Sequence, residues 1–158
     1  MPEARRVACG LADEQATAAL GARLARGCPP GTVIYLRGDL GAGKTTLARG
    51  FIRQLGHTGA VRSPTFTLLE PYEELRPPVL HLDLYRLAEP EELEFLGLRD
   101  YLSGPSVLLV EWPERGKGYL PSCDLEVELS GSGHGRRAKL AARTPRGVRC
   151  LAALEAPA

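Results

Sequence analysis

The segment Gly38-Asp39-Leu40-Gly41-Ala42-Gly43-Lys44-Thr45 constrains this chain more than any other. It fits the pattern G-x-x-x-x-G-K-[ST] in full. Glycine tolerates a left-handed backbone, so Gly38, Gly41 and Gly43 let consecutive N–H groups form a concave anion nest. Asp39, Leu40 and Ala42 complete the loop, and the positive end of a helix starting at Lys44 adds to its attraction for phosphate. Lys44 supplies a point charge for β- and γ-phosphates, and the Thr45 hydroxyl suits Mg²⁺. A glycine-rich turn alone is only a turn, but here both flanks agree. Thr32 to Leu36 is a dense β-branched and aromatic run, as a buried strand requires. From Lys44 to Leu55, Leu47, Phe51 and Leu55 recur on one helical face before Gly56. The expected ligand is Mg·ATP.

The rest of the chain alternates in the same way. Arg5 to Cys9 reads as a short edge strand, and Asp13 to Arg26 as a helix with Ala16, Leu20 and Leu24 on one face. Phe66 to Glu73 and Val79 to Leu84 read as strands parted by Arg76-Pro77-Pro78. Glu89 to Leu96 suits a short helix, and Ser106 to Val110 a buried strand. Leu125, Val127 and Leu129 alternate with Glu126 and Glu128, and Ala138 to Ala142 can pair with them across Gly131-Ser132-Gly133. The sum is an α/β chain of P-loop NTPase fold. Its mostly parallel central sheet is flanked by helices and carries antiparallel hairpin strands at the edge. At 158 residues, with no linker or repeat, residues 1–158 are expected to form one domain.

A phosphate loop needs an acid at the end of a neighbouring strand to complete a metal site. Glu111 closes the apolar run Val107-Leu108-Leu109-Val110, which would deliver it to the carboxyl end of the sheet, where ligands bind in such folds. Asp83 lies in Val79-Leu80-His81-Leu82-Asp83-Leu84-Tyr85, where period two places it on a face with His81 and Tyr85. A buried acid there needs a metal or a basic partner; an ion pair with Arg86, or simply an exposed face, is the alternative. Both acids are candidates to hold Mg²⁺ or to orient water. Ser63-Pro64-Thr65 reads either as a turn or as a hydroxyl-bearing switch loop.

Composition narrows the setting. A net charge of +1 argues against a nucleic-acid binder acting through bulk charge. No stretch nears the ~20 apolar residues that span a bilayer. The N-terminus has no apolar signal core, and Cys9, Cys28, Cys123 and Cys150 are too scattered for a zinc site. The expected location is the cytoplasm, with no membrane partner.

Together, the loop Gly38 to Thr46, Ser63-Pro64-Thr65-Phe66, His81-Leu82-Asp83-Leu84-Tyr85-Arg86 and Glu111-Trp112-Pro113-Glu114 resemble the successive signatures of the TsaE family. That resemblance implies an ATPase required for threonylcarbamoyladenosine in tRNA. It implies TsaB and TsaD as partners, which ATP hydrolysis would reset between turnovers, with any tRNA contact indirect. By position, Lys44, Thr45 and Thr46 would meet phosphate and Mg²⁺, and Thr65 would be the switch hydroxyl. Asp83 and Glu111 would surround metal and water, while Trp112 would lie beside the nucleotide or simply pack in the core. The arginines Arg136, Arg137, Arg143, Arg146 and Arg149 read as a solvated face that could also meet a partner. A GTPase would use an N-K-x-D loop, and the chain contains no asparagine. A small-molecule kinase would add an arginine-bearing lid, for which Ser103 to Leu120 offers no pattern. A nucleotide-gated assembly module with negligible hydrolysis is a third alternative.

Overall fold

The computed structural model describes residues 5–155. Seven strands form a continuous sheet: β1 (Arg6–Leu11), β2 (Val33–Arg37), β3 (Leu69–Tyr72), β4 (Val79–Asp83), β5 (Val107–Glu111), β6 (Leu125–Ser132) and β7 (Gly135–Ala142). Their order across the sheet is β1-β7-β6-β2-β5-β4-β3. The four central strands β6, β2, β5 and β4 run parallel, while β1, β7 and β3 are antiparallel to their neighbours. Parallel strands need helical crossovers, which cover both faces; accordingly β4 and β5 are buried at every residue. This is the P-loop NTPase architecture expected from the sequence.

One face carries α1 (Glu14–Gly27), α2 (Lys44–Gln54) and α5 (Pro145–Glu155). Their apolar stripes meet Ile34, Leu36, Val107, Leu109, Leu125, Val127 and Leu129 in the larger core. The opposite face is closed by two short helices, α3 (Glu92–Phe95) and α4 (Leu98–Leu102), whose Leu93 and Leu98 pack with Leu80, Leu82, Leu84, Leu108 and Val110. Asp13 caps α1 by accepting from the Ala16 amide at 2.8 Å. Buried Asp124 accepts from the Val33 amide at 2.8 Å and the Thr144 hydroxyl at 2.7 Å, joining the start of β2 to the N-terminus of α5.

Three expectations needed correction. The helix expected over Glu89 to Leu96 is helical only over α3 (Glu92–Phe95), and α4, which was not expected, follows it after Gly97 at φ 75°. The strand expected from Phe66 begins only at Leu69, because Leu68 adopts φ 67° and turns the chain. The hairpin turns at Gly133-His134, since Gly131 and Ser132 remain in the ladder opposite Arg136 and Gly135. After Thr144, where no element was expected, the chain folds into α5 and buries Cys150 and Leu151, while Arg137, Arg143, Arg146 and Arg149 stay exposed as a solvated face.

Helices α1 and α2 approach so closely that a Cβ on Gly21 would stand 2.0 Å from the Leu47 carbonyl oxygen. A Cβ on Gly50 would stand 2.0 Å from that of Ala18. Backbone cannot retreat as a flexible side chain does, so overpacking here is severe. Gly50→Val is expected to cost about 3 kcal/mol or more, read as a lowered denaturation midpoint without loss of cooperativity.

Candidate functional site

The loop between β2 and α2 wraps a cleft of about 520 Å³ at the carboxyl ends of the parallel strands. Its shape depends on glycine at two points. Gly38 has φ 150° and a Cβ there would meet the Leu129 carbonyl at 2.6 Å. Gly43 is left-handed at φ 107°, so the first residue of α2 can turn its side chain under the loop. That residue is Lys44. Its Nζ donates to the Gly38 carbonyl and, at 2.9 Å, to the Asp39 carbonyl. It also lies 4.1 Å from the centre of the Trp112 ring, a cation–π contact. Burial pushes the Lys44 pKa below its ordinary value, against the opposing pull of Glu111 and Asp83.

Lys44, Asp83 and Glu111 are only 4%, 4% and 2% exposed. Asp83 and Glu111 are register partners at the ends of β4 and β5, so parallel pairing alone sets the two carboxylates side by side. The Thr45 hydroxyl lies 2.9 and 3.0 Å from the two oxygens of Glu111. His81 Nε2 meets Glu111 Oε2 at 2.6 Å. Asp83 faces a different set: Ser63 and Thr65 donate to its Oδ2 at 3.1 and 3.0 Å, and the Tyr85 amide donates to Oδ1 at 3.1 Å. The Asp83–Arg86 ion pair does not form; Arg86 instead stacks over Phe66 at 4.5 Å. Two bulky residues beside the acids, Leu68 and Trp112, have left-handed backbones (φ 67° and 59°). Such conformations cost of order 1–3 kcal/mol and concentrate at functional sites. The Leu68 carbonyl uses its turn to accept from the Asp83 amide at 3.0 Å.

The structure therefore brings together most residues singled out in the sequence. Leu40, Gly41, Ala42, Gly43, Lys44, Thr45, Thr46, Thr65, Asp83, Glu111 and Trp112 all line the cleft. Asp39 does not; its side chain is exposed and only its carbonyl takes part, on Lys44. Trp112 does both things considered for it, packing against the smaller core while lining the cleft. Sequence reasoning missed the far wall, formed by Asp13, Glu14 and Thr17 of α1 and by His134, Gly135 and Arg136 of the hairpin. Arg136 reaches across 94 residues to donate to the Ala42 carbonyl at 3.0 Å, and to the Gly41 carbonyl at 3.0 Å. No local pattern announces that contact. His81 was legible only as lying on the same strand face as Asp83.

Among known proteins, the family model described as Threonylcarbamoyl adenosine biosynthesis protein TsaE matches residues 11–139. The chain belongs to the TsaE family. A tRNA threonylcarbamoyladenosine biosynthesis protein TsaE from Haemophilus influenzae is 49% identical over 121 residues, 77% of each chain. The Bacillus subtilis protein of that name is 44% identical over 108 residues, covering 68% of this chain and 67% of its own. The crystal structure of YdiB from Bacillus subtilis superposes with a TM-score of 0.82 at 29% identity, covering 98% and 97% of the two chains. The TsaE match thus spans the phosphate loop, Thr65, both acids and Arg136. It places the chain in tRNA threonylcarbamoyladenosine biosynthesis.

In this TsaE chain Arg136 ties the hairpin to the loop by charge-assisted bonds. Arg136→Ala is expected to quicken amide hydrogen exchange over residues 41–45 while lowering global stability by only about 1 kcal/mol.

Proposed function

We propose that the chain binds Mg·ATP in this cleft and hydrolyses it in the cytoplasm as a single ATPase domain. In this reading it acts with TsaB and TsaD and resets them between turnovers. The observation that carries the reading is the buried Lys44 ammonium under a glycine loop, with the Thr45 hydroxyl and Glu111 carboxylate paired beside it.

The donors fit magnesium. This ion prefers hard oxygens and usually takes one or two carboxylates together with phosphates and water. Thr45 and Glu111 are such donors. Among the described residues no group of three or more His, Cys, Asp or Glu would hold a metal alone, so phosphate oxygens and water would complete its shell. When bound, Mg²⁺ neutralises charge on the phosphates during transfer.

The chain's own residues divide the remaining work. Loop amides and the N-terminus of α2 hold phosphate, and Lys44 exchanges its carbonyl partners for phosphate oxygens. Glu111, beside Thr45, serves the metal side. Asp83, braced by Ser63 and Thr65, serves the attacking water and couples the 63–68 loop to the phosphate end. Thr46 extends the phosphate contacts. Catalysis is then positioning plus charge stabilisation, and a site awaiting partner groups can be slower by ~10³–10⁵.

Trp112 is the single tryptophan and Lys44 lies on its ring, which provides an internal reporter. Adding Mg·ATP should change its fluorescence saturably, and Lys44→Ala should abolish both the signal and nucleotide binding. ATP hydrolysis measured alone and with TsaB–TsaD is expected to be slow, then strongly stimulated. Glu111→Ala should lose turnover far more than binding. Fast hydrolysis alone, or indifference to the partners, overturns the partner-gated reading; retained ATP affinity in Lys44→Ala overturns the site.

A further inference from the structure

His81 lies in the middle of β4 between two core leucines and is fully buried. A leucine at this position would fill the same space without burying polar atoms, and a buried imidazole is costly unless its polar atoms are met. Nε2 is met by Glu111 Oε2 at 2.6 Å. Nδ1 is met by nothing, and among the described residues it is the one buried side-chain polar atom in that state. The ring's polar contact is therefore with a single carboxylate. An ionised carboxylate only accepts, so Nε2 carries the hydrogen of this bond.

The contact follows from register. His81 opposes Leu109 and Asp83 opposes Glu111, so the ring reaches diagonally to the carboxylate two residues further along the neighbouring strand. With Oε2 engaged, Glu111 keeps both oxygens within 3.0 Å of the Thr45 hydroxyl.

We propose that His81 is a positioning residue that orients Glu111 for the divalent cation accompanying the nucleotide. It sets the dependence of nucleotide binding on Mg²⁺ and leaves the affinity for nucleotide itself unchanged. The proposal rests on the assignment of Thr45 and Glu111 to the metal side. A partner behind a metal ligand commonly changes metal affinity by ~10–100-fold.

The test measures binding of a fluorescent ATP analogue to the full chain across a Mg²⁺ titration and in EDTA. His81→Leu is expected to keep its affinity in EDTA, while the Mg²⁺ concentration for half-maximal effect rises ~10–100-fold. His81→Gln, which restores a donor, should recover much of the difference. Unchanged Mg²⁺ dependence in His81→Leu, or equal losses with and without Mg²⁺, overturns the proposal. A wild-type chain that binds nucleotide with no response to Mg²⁺ overturns the metal-side assignment itself. If both variants unfold, nitrogen NMR of the wild-type His81 ring decides the matter. A hydrogen on Nε2 bonded to the carboxylate supports the proposal, and one on Nδ1 alone overturns it.

Discussion

Three charged side chains, Lys44, Asp83 and Glu111, are buried together at the carboxyl edge of the sheet, and the surrounding structure is arranged to make that tolerable. Burying a charge costs several kcal/mol unless opposite charge and hydrogen-bond donors replace water. Here each replacement comes from a different part of the chain. Lys44 is held by loop carbonyls and the face of Trp112, Glu111 by the first turn of α2 and the middle of β4, and Asp83 by the 63–68 loop. Removing any one contributor leaves a charge partly unpaired, so the cluster couples local geometry to global packing.

The two acids of the cluster are held in different ways. Asp83 carries the two hydroxyls of a loop that is otherwise turned by the left-handed Leu68, while Glu111 is engaged from the opposite side by His81 and Thr45. The acids thus have unlike surroundings at equivalent positions of adjacent strands. One is bonded to a loop whose Phe66 stands exposed at the surface, and the other is fixed by core residues and α2. This asymmetry underlies the division of roles proposed for them. Beyond the acids, the phosphate loop is confined by the close crossing of α1 over α2, by Leu129 beneath Gly38 and by Arg136 above Ala42. A loop so confined need not reorganise when an anion arrives.

Elements with strong periodicity were read correctly from the sequence. β2 and β5 bury dense apolar runs, α2 has an apolar face at helical spacing and β4 alternates with period two, and pattern alone identifies such elements. Where pattern fell short, tertiary contacts decided. α5 follows a hairpin and has arginines spread along it, so its apolar positions Cys150 and Leu151 stand out only when seen against Leu24 and Leu125. Phe66 has every local property of a strand residue, yet the turn at Leu68 leaves it outside the ladder.

The sequence by itself determined the phosphate loop, the order of the strands with helices α1 and α2, and the presence of acids at two strand ends. These are local consequences of glycine placement and hydrophobic period. Only the tertiary structure decided what those acids touch. Thr45 with Glu111, Thr65 with Asp83, His81 with Glu111 and Arg136 with Ala42 are contacts across 66, 18, 30 and 94 residues. They follow from sheet order and register, which depend on how all seven strands and their covering helices pack at once.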